Sequence, residues 1–180
     1  MVADMTHPGA LVFSSIPGTR PSAELVQAHL RSLRRAGVAD IAVVQSPSEL
    51  WPSLSGVQLV MQFSAWNDPF DALVLGAFAV NPRSLIVLPA ENDLVDDATM
   101  VRLVGESLSP RDSYAVAPIF KQRRGYPVLL FRKGIEAVVN EAAQPAGKRY
   151  LEALLVRWGT GVRLLQVQDD AVMYRFGAQA

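Results

Sequence analysis

The sequence contains no cysteine, which excludes disulfides, thiolate zinc sites and cysteine nucleophiles together. Histidine is almost as scarce: His7 and His29 are the only 2, too few for a multi-histidine metal centre. No uninterrupted apolar run approaches the roughly 20 residues that a bilayer-spanning helix requires. Neither sign of charge is in excess, because Lys plus Arg and Asp plus Glu number 17 each. The chain therefore has no overall field to draw in nucleic acid or anionic lipid, although a local basic patch is compatible with the balance. Its first residues carry acid and proline rather than a basic stretch ahead of a long apolar core, so no secretory signal is expected. These absences lead to the expectation of a soluble cytoplasmic protein.

What is present describes a folded chain. Half of the 180 residues are hydrophobic and only 19% are charged, enough to bury a sheet-and-helix core and too apolar for a disordered chain. Residues 1–9 read as a flexible leader and residues 10–176 as a single domain without internal repeats. Ala10 to Phe13 is an apolar strand, followed by the turn-rich loop SSIPGTRPS. Ser22 is placed to cap the next helix and Gly37 to end it, with Leu25, Val26, Leu30 and Leu33 as its inward stripe. Asp40 to Val44 and Val57 to Phe63 read as the second and third strands. Asp68 and Pro69 suit the N-cap and first position of a helix whose Phe70, Leu73, Val74, Ala77 and Phe78 recur at helical spacing.

The organising stretch is Ser84 to Val95, SLIVLPAENDLV. A short apolar run ends at Pro89 and delivers Glu91, Asn92 and Asp93 just beyond, as expected of a strand buried on both faces of a parallel sheet. Beyond it, Asp97 is placed to cap a helix with Met100, Val101, Val104 and Leu108 inward. Tyr114 to Ala117 and Val128 to Phe131 read as strands flanking IFKQRRGYP. Two helical stretches follow, Gly134 to Ala143 and Lys148 to Trp158, the latter closed by a core tryptophan. Val162 to Val167 and Ala171 to Phe176 read as closing strands joined at Asp169-Asp170. The alternation predicts a three-layer α/β/α domain, Rossmann-like, with a mostly parallel sheet and antiparallel additions near its end.

Ligands of such sheets bind outside the carboxyl ends of the strands. Glu91 and Asp93 there either hold a divalent cation or stand as solvated acids that cap a turn. The Ser14–Arg20 loop has the place of a phosphate cradle, with Ser14, Ser15 and Gly18 offering backbone and Arg20 a charge. It lacks the Gly-x-Gly-x-x-Gly and Gly-x-x-x-x-Gly-Lys-Ser/Thr spacings. Lys121, Arg123 and Arg124 either receive an anionic substrate, with Gly125 permitting close backbone approach, or form an ordinary basic hairpin tip. Trp66 is placed to line a pocket or to pack beneath the helix after it. A serine hydrolase is a poor reading, since no histidine-containing motif accompanies Ser14 and Ser15.

Several of these segments resemble the MobA-like nucleotidyltransferase superfamily, in particular its molybdenum-cofactor cytidylyl- and guanylyltransferase branch. IVLPAENDLV is similar to the family's strand ending in Leu-Pro-Ala-Asp-x-Pro-Leu-Val. APIFKQRRGYPVLLFR is similar to Pro-x-Tyr-x-Gly-x-x-Gly-His-Pro-Val-Leu, and AHLRSLRRAGVADIAVV to the family's first helix and second strand. The resemblance implies a nucleotidyltransferase fold, a nucleoside triphosphate over the loop after the first strand, and Mg²⁺ on an acid after the Leu-Pro-Ala strand, here Glu91. The sequence departs from the pattern where chemistry is done. The family's Leu-Ala-Ala-Gly-x-x-x-Arg-Met-Gly-x-x-Lys loop reads LVFSSIPGTRPS, placing Phe13 and Ser14 where a small Ala-Gly pair stands. Arg20 matches the family arginine, no lysine follows it, and AVMYRF stands where Val-Leu-x-Asp-Ile-Asp carries a second metal aspartate.

The expectation is a divergent member whose catalysis is weakened or lost, acting through binding or regulation. The alternative is an active Mg²⁺-dependent transferase that moves a nucleotide from CTP or GTP to a phosphorylated acceptor such as molybdopterin. Nucleotide or phosphate would fall to Ser14, Ser15, Gly18, Arg20, Arg123 and Arg124, and metal, needed only if the protein is active, to Glu91 and Asp93. The expected partners are a nucleoside triphosphate and either another protein or a second copy, with no nucleic acid and no membrane.

Overall fold

A computed structural model describes residues 7–14, 21–47, 51, 54–62, 69–80, 82–109, 112–142 and 151–173. Its centre is β1 (Gly9–Phe13), which pairs in parallel with β2 (Ile41–Gln45) on one side and β4 (Ser84–Pro89) on the other. All three strands are buried throughout. Their near-continuous apolar sequence follows from helices covering both faces. Along β1, Ala10 and Val12 face one core while Leu11 and Phe13 face the other.

The first core lies under α1 (Ala23–Arg35) and α3 (Asp97–Ser107), and the second under α2 (Pro69–Val80), α4 (Arg132–Ala142) and α5 (Leu151–Trp158). The three-layer expectation holds. Beyond β2 lies the parallel edge strand β3 (Gln58–Met61). On the other side β7 (Val128–Phe131) runs antiparallel between β4 and β5 (Ala115–Phe120). The short β6 (Arg123–Arg124) folds back on β5, and β8 (Val162–Gln166) pairs with it in parallel. Because β7 opposes both, β4 and β5 point the same way, and their C-terminal ends share one edge of the sheet.

Local signals account for the element ends. Ser22 accepts from the backbone N–H of Leu25 at 3.1 Å, and Gly37, at φ 92°, takes the left-handed position beyond α1 that favours glycine. The expected cap Asp68, like Trp66, lies outside the described residues. Asp96 rather than Asp97 caps α3, accepting from Thr99 N at 2.5 Å. Asp97, now in the first turn, instead accepts from Ser32 Oγ and pairs with Arg35.

Three inward assignments change with the helix phase. Val101 and Leu108 are exposed, and Leu103 joins Met100 and Val104 in the core. Phe78 faces solvent, because the buried face of α2 is set by Phe70, Leu73 and Ala77. Trp158 is half-buried and stacks on Tyr114 with centroids 4.9 Å apart. In place of the expected strand from Ala171, Asp170–Val172 form a 3₁₀ turn, and residues 174–176 lie outside the described ones. The cause is local: the Asp169 side chain accepts from Ala171 N at 3.0 Å, so the backbone curls there instead of extending.

Candidate functional site

The shared strand edge is where the candidate residues gather. The backbone N–H of Ala90 donates to Phe13 O at 2.8 Å, carrying the β1–β4 ladder one step past the strands. That step brings the first residues of the two following loops together. Ser14 Oγ donates to Glu91 Oε1 at 2.5 Å, a charge-assisted contact between half-buried side chains. Asp93 is exposed on the same loop. Ser15, Gly18 and Arg20 lie outside the described residues.

Beneath this loop sits His29, a residue to which the sequence assigned no role. It is 1% exposed on α1, and its Nε2–H donates to the backbone carbonyl of Asn92 at 3.0 Å. Burial pushes its pKa below the ordinary 6.5, against the smaller opposing pull of the Asn92 and Ala90 carbonyls and the Asp93 and Glu91 carboxylates. The ring is therefore neutral at pH 7 and acts as a fixed donor. The sequence signal was faint: His29 falls one position from the Leu30 stripe of an amphipathic helix.

Asn92 is the joint of the site. Its N–H donates to Pro89 O at 3.1 Å, its carbonyl accepts from His29, and its side-chain Nδ2 donates to Ala171 O at 2.9 Å. Its buried Oδ1 has no hydrogen-bond partner among the described residues. A second bond to the C-terminal segment runs from Asp96 N to Asp169 Oδ2 at 2.8 Å. On its far side the same segment accepts a bond from Tyr126 N to Val172 O at 2.8 Å. The C-terminal turn is thus wedged between the acid loop after β4 and the segment after β6. Gly125 does permit a close backbone approach, but it is Val172 that approaches: a Cβ at Gly125 would stand 1.9 Å from Val172 O.

The basic cluster is split by the hairpin that carries it. Lys121 and Gln122 take left-handed conformations, with φ 45° and 65°, and turn the chain back on itself. Lys121 lies over the Phe120 ring, Arg123 is exposed, and Arg124 donates to Leu155 O near the C-terminal end of α5 at 2.9 Å. Arg124 thereby satisfies a helix-end carbonyl, where a cation also suits the helix dipole. Trp51 is structural too: buried, it donates from Nε1 to Pro21 O at 3.1 Å and holds the entry to α1.

A metal ion finds few protein donors here. Among the described residues no group of three or more His, Cys, Asp or Glu side chains is gathered to hold one. Mg²⁺ commonly takes one or two carboxylates and completes its shell with substrate phosphates and water. Glu91, with Asp93 beside it, fits that kind of phosphate-bridged site and not a closed protein cage. Cation binding at Glu91 would compete with the Ser14 hydroxyl.

Comparison with known proteins places the architecture. Rv0371c from Mycobacterium tuberculosis H37Rv, solved in complex with manganese, superposes with a TM-score of 0.68 at 16% identity, covering 90% of this chain and 88% of that one. The 2-C-methyl-D-erythritol 4-phosphate cytidylyltransferase of Thermus thermophilus gives 0.64 at 13% identity, over 96% and 94% of the two chains. A CMP:2-keto-3-deoxy-manno-octonic acid synthetase complexed with CTP gives 0.60 at 15% identity, over 89% and 90%. These likenesses establish the nucleotidyltransferase fold. No curated protein matches the chain. No helix among the described residues is long and apolar enough to cross a membrane. The MobA-like NTP transferase domain model matches residues 20–159, and the chain belongs to that family.

Proposed function

We propose that this protein receives a nucleoside triphosphate at the shared end of β1 and β4, with catalytic turnover weakened or lost, and acts through binding or regulation. The observation that carries the reading is the hydrogen bond between Ser14 and Glu91. It joins the loop that would cradle phosphate to the acid that would hold a cation, and it engages one oxygen of that acid. The fold's use elsewhere with CTP and with manganese makes a nucleotide the natural ligand class. Lys121 and Arg123, exposed on the same sheet edge, supply positive charge for its phosphates.

The second reading is an active Mg²⁺-dependent transferase delivering a nucleotide from CTP or GTP to a phosphorylated acceptor such as molybdopterin. What favours it is that Glu91 stands directly beside the loop after β1. Calorimetric titration with CTP, GTP, ATP and UTP, with and without Mg²⁺, is run beside a pyrophosphate-release assay. Binding without release is the expected outcome. Mg²⁺-dependent pyrophosphate release that Glu91→Gln abolishes would establish the active transferase, and absence of binding by all four nucleotides would reject both readings.

A further inference from the structure

The backbone that carries Glu91 is pinned on both sides. Before it, Ala90 N donates to Phe13 O at 2.8 Å. After it, Asn92 N donates to Pro89 O at 3.1 Å, and the Asn92 carbonyl accepts from the buried His29 at 3.0 Å. The Asn92 side chain adds a bond to Ala171 O at 2.9 Å. Ser14, the first residue past β1, meets the acid through its hydroxyl, with Oγ 2.5 Å from Glu91 Oε1. Breaking that bond needs no backbone movement on either strand. One rotation about χ1 of Ser14 carries Oγ to another staggered position.

The place of this bond matters for any ion shared between the acid and a bound phosphate. Phosphates standing over the loop that Ser14 opens would be bridged to Glu91 by an ion between that loop and the carboxylate. The Ser14 hydroxyl already reaches across that gap. A hydroxyl has one proton to donate, so it can serve Glu91 or a phosphate oxygen but not both at once. A hard cation with one or two carboxylates relies on phosphate oxygens for much of its shell. We infer that the Ser14 hydroxyl is a built-in competitor, keeping a divalent cation off Glu91 until a nucleotide phosphate accepts its hydrogen bond instead. The inference rests on the nucleotide reading of this edge and adds an order to it: the cation enters with the phosphates and not before them. The coupling is reciprocal, since a phosphate that draws the hydroxyl away raises cation affinity by the factor with which the cation raises phosphate affinity.

The test titrates Mn²⁺, which shares the oxygen-ligand preference of Mg²⁺, into the full chain without nucleotide and follows the free ion by electron paramagnetic resonance. Ser14→Ala is expected to bind Mn²⁺ about tenfold more tightly than wild type, the factor that a charge-assisted hydrogen bond carries. Ser14→Thr keeps the hydroxyl and should behave as wild type. Glu91→Gln should abolish the binding, alone or combined with Ser14→Ala. The direction of the change is decisive, because a hydroxyl that merely held Glu91 in place would leave Ser14→Ala weaker. A second arm follows binding of the manganese complexes of CTP, GTP, ATP and UTP by calorimetry. There the gain of Ser14→Ala should vanish, since the wild-type hydroxyl then bonds phosphate. Mn²⁺ affinity unchanged or lowered in Ser14→Ala overturns the inference even where nucleotide binds. So does a gain that persists in Glu91→Gln or is kept in full with the nucleotide complexes. Failure of all four complexes to bind removes the nucleotide reading itself, and the exchange with it.

Discussion

Gly125→Ala tests the wedge that holds the C-terminal turn in the candidate site. The added Cβ would lie 1.9 Å from Val172 O and 2.6 Å from Val172 C. Both are backbone atoms that cannot swing aside as a side chain would. Restoring ordinary contact requires the turn to withdraw by more than about 1 Å. That movement breaks the 2.8 Å bond from Tyr126 N to Val172 O and lengthens the 2.9 Å bond from Asn92 Nδ2 to Ala171 O. Overpacking costs about 1–3 kcal/mol, and stranding the buried Asn92 amide adds about 1–3 kcal/mol. Because the first is relieved by accepting the second, the two are alternatives rather than a sum, and a net loss of about 1–3 kcal/mol is expected. Equilibrium urea unfolding measures the loss, and hydrogen exchange at the Tyr126 amide locates it. A change below about 0.5 kcal/mol, with that amide as protected as in wild type, would refute the wedge.

Gly105→Ala is the matched control: nothing lies within 4 Å of its Cβ position in α3, so stability should rise by about 0.5–1 kcal/mol in the same urea assay. His29 predicts a pH dependence. Its folded pKa is depressed, so the unfolded chain binds the proton more tightly, and the associated stability is complete above about 6.5. It should be lost progressively as pH falls from there towards the lowered folded value, and urea unfolding of His29→Gln should lack that decline. Arg124→Ala should cost about 1–2 kcal/mol through its bond to Leu155 O while leaving nucleotide affinity unchanged by calorimetry. Arg123→Ala should do the reverse, weakening nucleotide binding with unfolding unaltered.

Much of the architecture was legible because burial writes itself into the sequence. Leu85 to Leu88 read as a two-face buried strand and are one, since a strand covered on both sides has no need of alternation. Ser22 and Gly37 marked the ends of α1 through capping chemistry that acts over a few residues. Errors arose where several phases fit the same letters. Val101 and Leu108 were assigned inward because their spacing suits a helix, and only the position of the sheet decides which apolar stripe of α3 is covered. Ala171 read as a strand start because its β-prone neighbours outweighed a side-chain cap at Asp169, whose hydrogen bond is invisible in composition.

The candidate site divides in the same way. Glu91 could be nominated from the sequence alone, as the first acid beyond a buried strand that ends at proline. The closeness of Glu91 to Ser14, 77 positions earlier, follows from β1 and β4 being neighbours. That fact belongs to strand order and to no local pattern. For the same reason the structure alone could show that Asn92 and Gly125 serve the C-terminal turn, that Arg124 donates to Leu155 O of α5, and that His29 supports the acid loop from below. The sequence by itself determined which segments become strands and helices, because propensity, capping and burial act along the chain. Only the tertiary structure decided which polar groups meet, because partners distant in the chain are brought together by the packing of the sheet and its helices.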